Sequence, residues 1–174
     1  MLTIRPAAIA DAALIRKLIW ELAEFEKEPD HVLTTEADIA RDGFGVNPQF
    51  RALIAEWQGQ PAGFALFFSY YSTWRGAGLY LEDLFVRHEF RGRGIGKALF
   101  GRVAHAALEE NRSFIKWSVL DWNEPAIEMY QALGGEFLDN WRSVLLSGNN
   151  LRKLAELDSA KRSSAKTSSA EKYS

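Results

Sequence analysis

The sequence predicts a mixed fold of the α/β (α+β) class, and three observations carry that expectation. Strand-like apolar runs alternate with stretches of helical period along the chain. Two strand-like runs, Phe50 to Trp57 and Ala62 to Tyr71, flank Gln58-Gly59-Gln60-Pro61, a hairpin signature. The run Tyr80-Leu81-Glu82-Asp83-Leu84-Phe85-Val86 reads as a buried strand. It passes through a turn rich in glycine and arginine, Arg91 to Gly96, into a helix striped by Ile95, Leu99, Val103 and Ala106.

The remaining elements follow in order. Leu2 to Arg5 reads as a first strand closed by Pro6, and Asp11 is placed to cap a helix with Ile15, Leu18, Ile19 and Leu22 on one face. Thr35 with Asp38 resembles a capping box opening a short helix that ends near Gly43. Phe114 to Leu120 forms the strand after the long helix. Glu124 or Pro125 starts a helix through Leu133, stopped by Gly134-Gly135. A last strand pair is expected over roughly Phe137 to Leu146. The domain is read as 1–154. Residues 155–174 are read as a low-complexity tail, because from Ser159 the chain offers serine, alanine and lysine with almost nothing to bury, which predicts disorder.

Composition excludes several function classes. The chain has 174 residues, 47% of them hydrophobic, which suits one domain with a sizeable core. A net charge of −2 offers no global field for nucleic acid. With no cysteine there is no disulfide, thiolate metal site or cysteine nucleophile. His31, His88 and His105 have no metal-ligand spacing, so no metal is expected. No secretory leader and no apolar run of membrane-spanning length are seen, so a soluble cytoplasmic protein without nucleic-acid or membrane partners is expected.

A strand leading through a glycine turn to a helix N-terminus gathers free backbone N–H groups and the positive end of a helix dipole, which together bind phosphate. The dinucleotide fingerprint fails here, since its third glycine falls on Lys97 or on Leu99. The P-loop also fails, because it needs glycine at Arg91 and a hydroxyl residue at Ala98. What remains is Arg-x-x-Gly-x-Gly over Arg91, Gly94 and Gly96.

With Ile4-Arg5-Pro6-Ala7, Glu21 to Lys27, Asp42-Gly43-Phe44-Gly45, Tyr71 to Trp74, Tyr80 to Asp83, Leu120 to Asn123 and Tyr130, that turn resembles the GNAT superfamily of acyl-CoA N-acetyltransferases. Within it, the chain is similar to the diamine (spermidine/spermine) and thialysine acetyltransferases over nearly its whole length. The resemblance implies a central, mixed, mostly antiparallel twisted sheet of six to seven strands, splayed in the middle and flanked by about four helices. It also implies acetyl-CoA as acetyl donor, a small primary amine as acceptor, direct attack and a homodimer.

Acetyl transfer to an amine makes four demands. An alkyl amine has a pKa near ~10.4 and arrives protonated, so the site must attract a cation, remove its proton, stabilise an oxyanion and reprotonate a thiolate. Read from position alone, Glu82 and Asp83 serve equally well as strand-end carboxylates paired with an arginine, and Tyr130 as a core tyrosine. The resemblance assigns them roles. Glu82 binds the ammonium and relays its proton, Asp83 helps hold the cation, and Tyr130 protonates the departing thiolate. A bulge is implied in the strand carrying Glu82 and Asp83, where plain alternation sends neighbours to opposite faces.

By the same resemblance Leu84, Phe85 and Val86 lend backbone groups to the pantetheine arm and the acetyl carbonyl. Arg91, Gly92, Arg93, Gly94, Ile95, Gly96 and Lys97 hold the pyrophosphate, and Asn123, Glu124 and Ala126 add coenzyme contacts. Phe25, Glu26 and Trp74 line the amine site. Polyamine acetyltransferases usually carry tyrosine where Phe25 stands and a longer acidic stretch before the tryptophan matching Trp141. Phe25-Glu26-Lys27, Ser72-Thr73-Trp74 and Leu120-Asp121-Trp122-Asn123 look more like the thialysine branch, which favours a short amine or lysine analogue. The rival readings are acetylation of a protein N-terminus or lysine, and a non-catalytic acyl-CoA-binding module.

Overall fold

Five strands form one sheet in sequence order, β1 (Leu2–Pro6), β2 (Arg51–Trp57), β3 (Gln60–Ser72), β4 (Gly76–Val86) and β5 (Ile115–Trp117). The computed structural model describes residues 1–157. Neighbouring strands are antiparallel except β4 and β5, which are parallel and joined through α3 (Ile95–Glu109). The sheet thus has the expected mixed, mostly antiparallel character, with five strands rather than six to seven. The chain falls into two compact units, residues 1–123 and residues 124 onward. All five strands belong to the first.

Local chemistry explains several element boundaries. β2 and β3 are joined by Gln58 and Gly59 alone, with φ of 53° and 79°, the paired left-handed conformation that matches strand twist in a two-residue hairpin. α2 (Glu36–Phe44) opens with the anticipated capping box. Thr35 Oγ1 accepts from the Asp38 amide at 3.1 Å, and the Asp38 carboxylate accepts from the Thr35 amide at 3.0 Å. Asp11 does not cap α1 (Ala12–Glu26) as expected. Its carboxylate instead takes the Arg5 fork at 2.7 and 2.9 Å together with the Ala8 amide at 2.8 Å. The hydrogen bonds from Arg5 hold that carboxyl below its ordinary range.

Two apolar layers sandwich the sheet. On one face Ile15 and Leu18 of α1 and Ile39 of α2 pack on Ile54, Phe64, Leu66 and Phe85. On the other, Ile95, Leu99 and Val103 of α3 pack on Leu53, Ala65, Phe67, Leu79 and Leu81. The register of β3 with β4 slips between Leu66↔Asp83 and Phe67↔Leu81, so Glu82 is an extra residue with no partner on β3. This is the bulge expected in that strand, and it reverses the facing of β4. Leu79 and Leu81 point to the α3 layer, whereas Phe85, of the same parity, packs in the α1 layer.

β5 pairs only with Leu79, Tyr80 and Leu81. From Glu82 to Val86 the edge of β4 away from β3 has no strand partner among the described residues, which is the splay. β5 is accordingly shorter than the Phe114 to Leu120 run suggests.

In the second unit, α4 (Glu124–Ala132) is ended by Gly134 at φ 82°, with the Gly135 amide donating to the Tyr130 carbonyl at 2.9 Å. The strand pair expected over 137–146 is not formed. The chain turns at Asp139-Asn140, Val144 and Leu145 are exposed, and no strand among the described residues of this unit offers a ladder. An apolar run becomes a strand only beside an edge that takes its backbone hydrogen bonds. A helical stretch covers 148–157, and the bulk of the expected tail, 158–174, lies outside the described residues. Among those described, no helix is long and apolar enough to cross a membrane.

Candidate active site

The glycine turn is built to leave donors free. After a 3-10 turn over His88–Phe90, Gly92 and Gly94 take φ of 74° and 75°, a conformation costly for any residue with a Cβ. α3 begins at Ile95, whose side chain is buried in the α3 layer, so only its backbone faces the turn. The next amide to find a carbonyl is that of Ala98, bonded to Gly94 at 3.0 Å. The amides of residues 92–97 have no acceptor among the described residues. Six donors at the positive end of a 15-residue helix make an anion cradle.

Basic side chains frame this cradle. Arg91 Nε donates to the Val86 carbonyl at 2.9 Å, and its guanidinium lies 4.5 Å from the Phe25 ring centroid. Arg93 donates to the Glu89 carbonyl at 3.2 Å and stacks on Trp57 at 5.2 Å. Lys97 is exposed on the first turn of α3. Immediately upstream, the side chains of Leu84 and Val86 pack into the α3 layer and Phe85 into the α1 layer. What this strand offers a ligand is therefore its open backbone edge.

An acidic cleft of about 180 Å³ opens where the end of α1 meets the far side of β4. Leu22 and Val32 floor it, and Glu26, Glu28, His31 and Asp83 wall it. Burial pushes the Asp83 carboxyl up to about 7, and repulsion from Glu82 and then Glu26 adds to that. Burial also raises Glu26. Glu82 itself is exposed at the bulge. Asp83, raised by burial and by two carboxylate neighbours, is a group that a bound cation relieves.

Arg87 secures this geometry. Its guanidinium grips Glu21 of α1 at 2.7 and 2.9 Å and the Pro61 carbonyl at 2.7 Å, tying the end of β4 to the helix that carries Glu26.

Not every expected residue gathers here. Phe25 is not in the wall of the cleft. Trp74 stands at the tip of the β3–β4 hairpin, beyond the Ser72↔Gly76 pair, and is also not in that wall. Asn123 closes the first unit, its amide bonded to the Leu120 carbonyl at 3.0 Å. Glu124, Ala126 and Tyr130 belong to α4 in the second unit. Ala126 and Tyr130, four residues apart, share a helix face. Tyr130 is the buried residue of α4, and burial pushes its phenol upward. The sequence reading did not single out Glu28 and His31 as cleft residues. His31 Nδ1 and Glu28 Oε2 lie 3.1 Å apart, and the only signal for them is the acidic run after α1.

The sequence profile of the acetyltransferase (GNAT) family matches residues 13–135, and the chain belongs to that family of enzymes. It is 40% identical over 163 residues to a thialysine N-epsilon-acetyltransferase of Sus scrofa, covering 87% of this chain and 96% of that one. It is 38% identical over 138 residues to a spermidine/spermine N(1)-acetyltransferase-like protein 1 of Homo sapiens, covering 75% of this chain and 20% of that one. An integron cassette protein from the mobile metagenome of V. cholerae shares the fold. Its TM-score is 0.73 at 23% identity, over 88% of this chain and 97% of that one.

Proposed function

We propose that this enzyme transfers the acetyl group of acetyl-CoA to a primary amine of a small cationic acceptor, a lysine analogue of the thialysine type or a short diamine, by direct attack without an acyl-enzyme. The observation that carries this is the bulge at Glu82. To one side of it β4 has an open backbone edge leading to an amide-lined turn, and to the other lies an acidic cleft.

The acceptorless amides of residues 92–97 and the basic side chains Arg91, Arg93 and Lys97 suit a pyrophosphate, which supports acetyl-CoA as donor. When bound, that donor supplies an activated thioester. The backbone from Leu84 to Val86 would hold its pantetheine arm as an added strand does, and an amide there would face the developing oxyanion. Asn123, Glu124 and Ala126 add coenzyme contacts.

Glu26 and Asp83 draw in the ammonium, since a cation offsets the burial and the repulsion that raise Asp83. Glu82, exposed and hydrated, takes the proton through water so that the amine attacks in its neutral form. Tyr130 returns a proton to the thiolate. Because burial raises the phenol, it keeps that proton at neutral pH, and a thiol near ~8.5 makes the transfer feasible. Thialysine is favoured over spermidine by the 40% identity to the pig enzyme. We infer a homodimer from the family resemblance alone, which sedimentation tests.

The test is CoA-thiol release with thialysine, lysine, putrescine, spermidine, spermine and a lysine peptide, for the unmodified enzyme beside Tyr130→Phe and Glu82→Gln. Turnover of a small amine, reduced at least tenfold in both variants, is expected. Turnover of the peptide alone would replace this reading with protein acetylation.

A further inference from the structure

The last turn of α1 carries two consecutive side chains with different neighbours. Glu26 walls the acidic cleft, whereas Phe25 lies against the Arg91 guanidinium at 4.5 Å. Phe25 also packs on the α1-side core and meets Trp122 with ring centroids 5.7 Å apart. Trp122 in turn lies 5.4 Å from Lys27 Nζ, so Phe25 is braced beneath the arginine.

Arg91 is held at two points, by Nε on the Val86 carbonyl and by the Phe25 face, with Phe85 at 6.0 Å. Its two terminal nitrogens have no acceptor among the described residues. The amides that follow, 92–97, have none either. An unrestrained surface arginine loses much rotamer freedom when it grips an anion. A ring face removes that freedom beforehand without occupying the donors, because it attracts the cation through its quadrupole rather than through an acceptor atom. A carboxylate in the place of Phe25 would instead neutralise the fork.

We propose that Phe25 is a positioning residue for the coenzyme's phosphates, holding the Arg91 fork ready at the start of the glycine turn rather than contacting the amine. This rests on the acetyl-CoA reading above. It divides the end of α1 between the two substrates, with residue 25 serving the coenzyme and residue 26 the amine.

The experiment is a double-mutant cycle read by calorimetric titration with CoA and by steady-state kinetics. Phe25→Leu keeps apolar volume and removes the π face. It is expected to weaken CoA binding about fivefold and raise the acetyl-CoA KM similarly, with the amine KM and the kcat at saturation within twofold. Phe25→Tyr keeps the ring and is expected to keep the affinity, which separates stacking from any loss of folding. In an Arg91→Met background, which removes the cation that the ring attracts, Phe25→Leu is expected to have no further effect on CoA affinity. A raised amine KM with unchanged CoA affinity would overturn the proposal and make Phe25 a wall of the amine site. Additive losses in the cycle would also overturn it. Absence of CoA binding by the unmodified chain would remove the coenzyme reading itself, whereas tight binding indifferent to Phe25→Leu removes this inference alone.

Discussion

Replacing Asp83 by asparagine should stabilise the fold while impairing the enzyme, and the stabilisation should grow with pH. The carboxyl is raised from its ordinary 3.8 to about 7 by burial, helped by Glu82 and Glu26. The folded state therefore keeps the proton up to about pH 7, whereas the unfolded chain releases it near pH 3.8. The native state binds more protons throughout that window, so the stability present below it is lost as pH rises. At 1.36 kcal/mol per pKa unit, the raised carboxyl costs the fold about 4 kcal/mol by pH 8 and about 1 kcal/mol at pH 4.5.

Asparagine has nothing to ionise. The Tm advantage of Asp83→Asn should then be about 8–16 °C at pH 8 and about 2–4 °C at pH 4.5, taking about 2–4 °C per kcal/mol for a chain of this size. Thermal unfolding followed by circular dichroism from pH 4.5 to 8.5 measures it. In the same samples the amine KM should rise, because a group kept at a cost to stability is kept for binding. A Tm difference that does not change with pH would refute the assignment of Asp83 as a carboxyl raised by burial and by its carboxylate neighbours.

Three further outcomes are expected. Glu26→Gln removes one of the repelling charges, so Asp83 should titrate lower. The acidic limb of kcat/KM against pH should move to lower pH while the amine KM rises about tenfold. Gly94→Ala places a Cβ at φ 75°, which should cost about 1–2 kcal/mol in urea unfolding and weaken CoA binding measured by titration. Gly63→Ala drives a Cβ into the Phe85 carbonyl oxygen and against Val86 Cα at 3.0 Å, where β3 and β4 meet below the bulge. Urea unfolding should show a loss of more than about 2 kcal/mol.

The backbone of the glycine turn is legible in the sequence, because its signals are local. Glycine at 92 and 94 ahead of an apolar helix announces freed amides, since positive φ and a helix N-terminus both follow from a few consecutive residues. The Thr35–Asp38 box and the Gln58-Gly59 hairpin were legible for the same reason. The Phe137 to Leu146 strands were misjudged, because apolar alternation states a preference that only a partner edge can satisfy. Asp11 was misjudged because its competitor for the helix amides, Arg5, reaches it through tertiary contact with β1.

The sequence by itself determined most of the helices and strands of residues 1–132, where the chain reverses between them, and that a glycine turn opening a helix follows a strand carrying two adjacent carboxylates. All of these depend on backbone conformation and on periodicity within a dozen residues. Only the tertiary structure decided that Glu82 is the unpaired residue of a bulge, so that Asp83 turns toward Glu26 while Leu81 faces the opposite layer. It alone decided that Phe25 meets Arg91, 66 residues later, rather than the cleft beside it. Register between strands and the packing of a helix end on a distant turn are set by long-range complementarity of surfaces, to which no local pattern is sensitive.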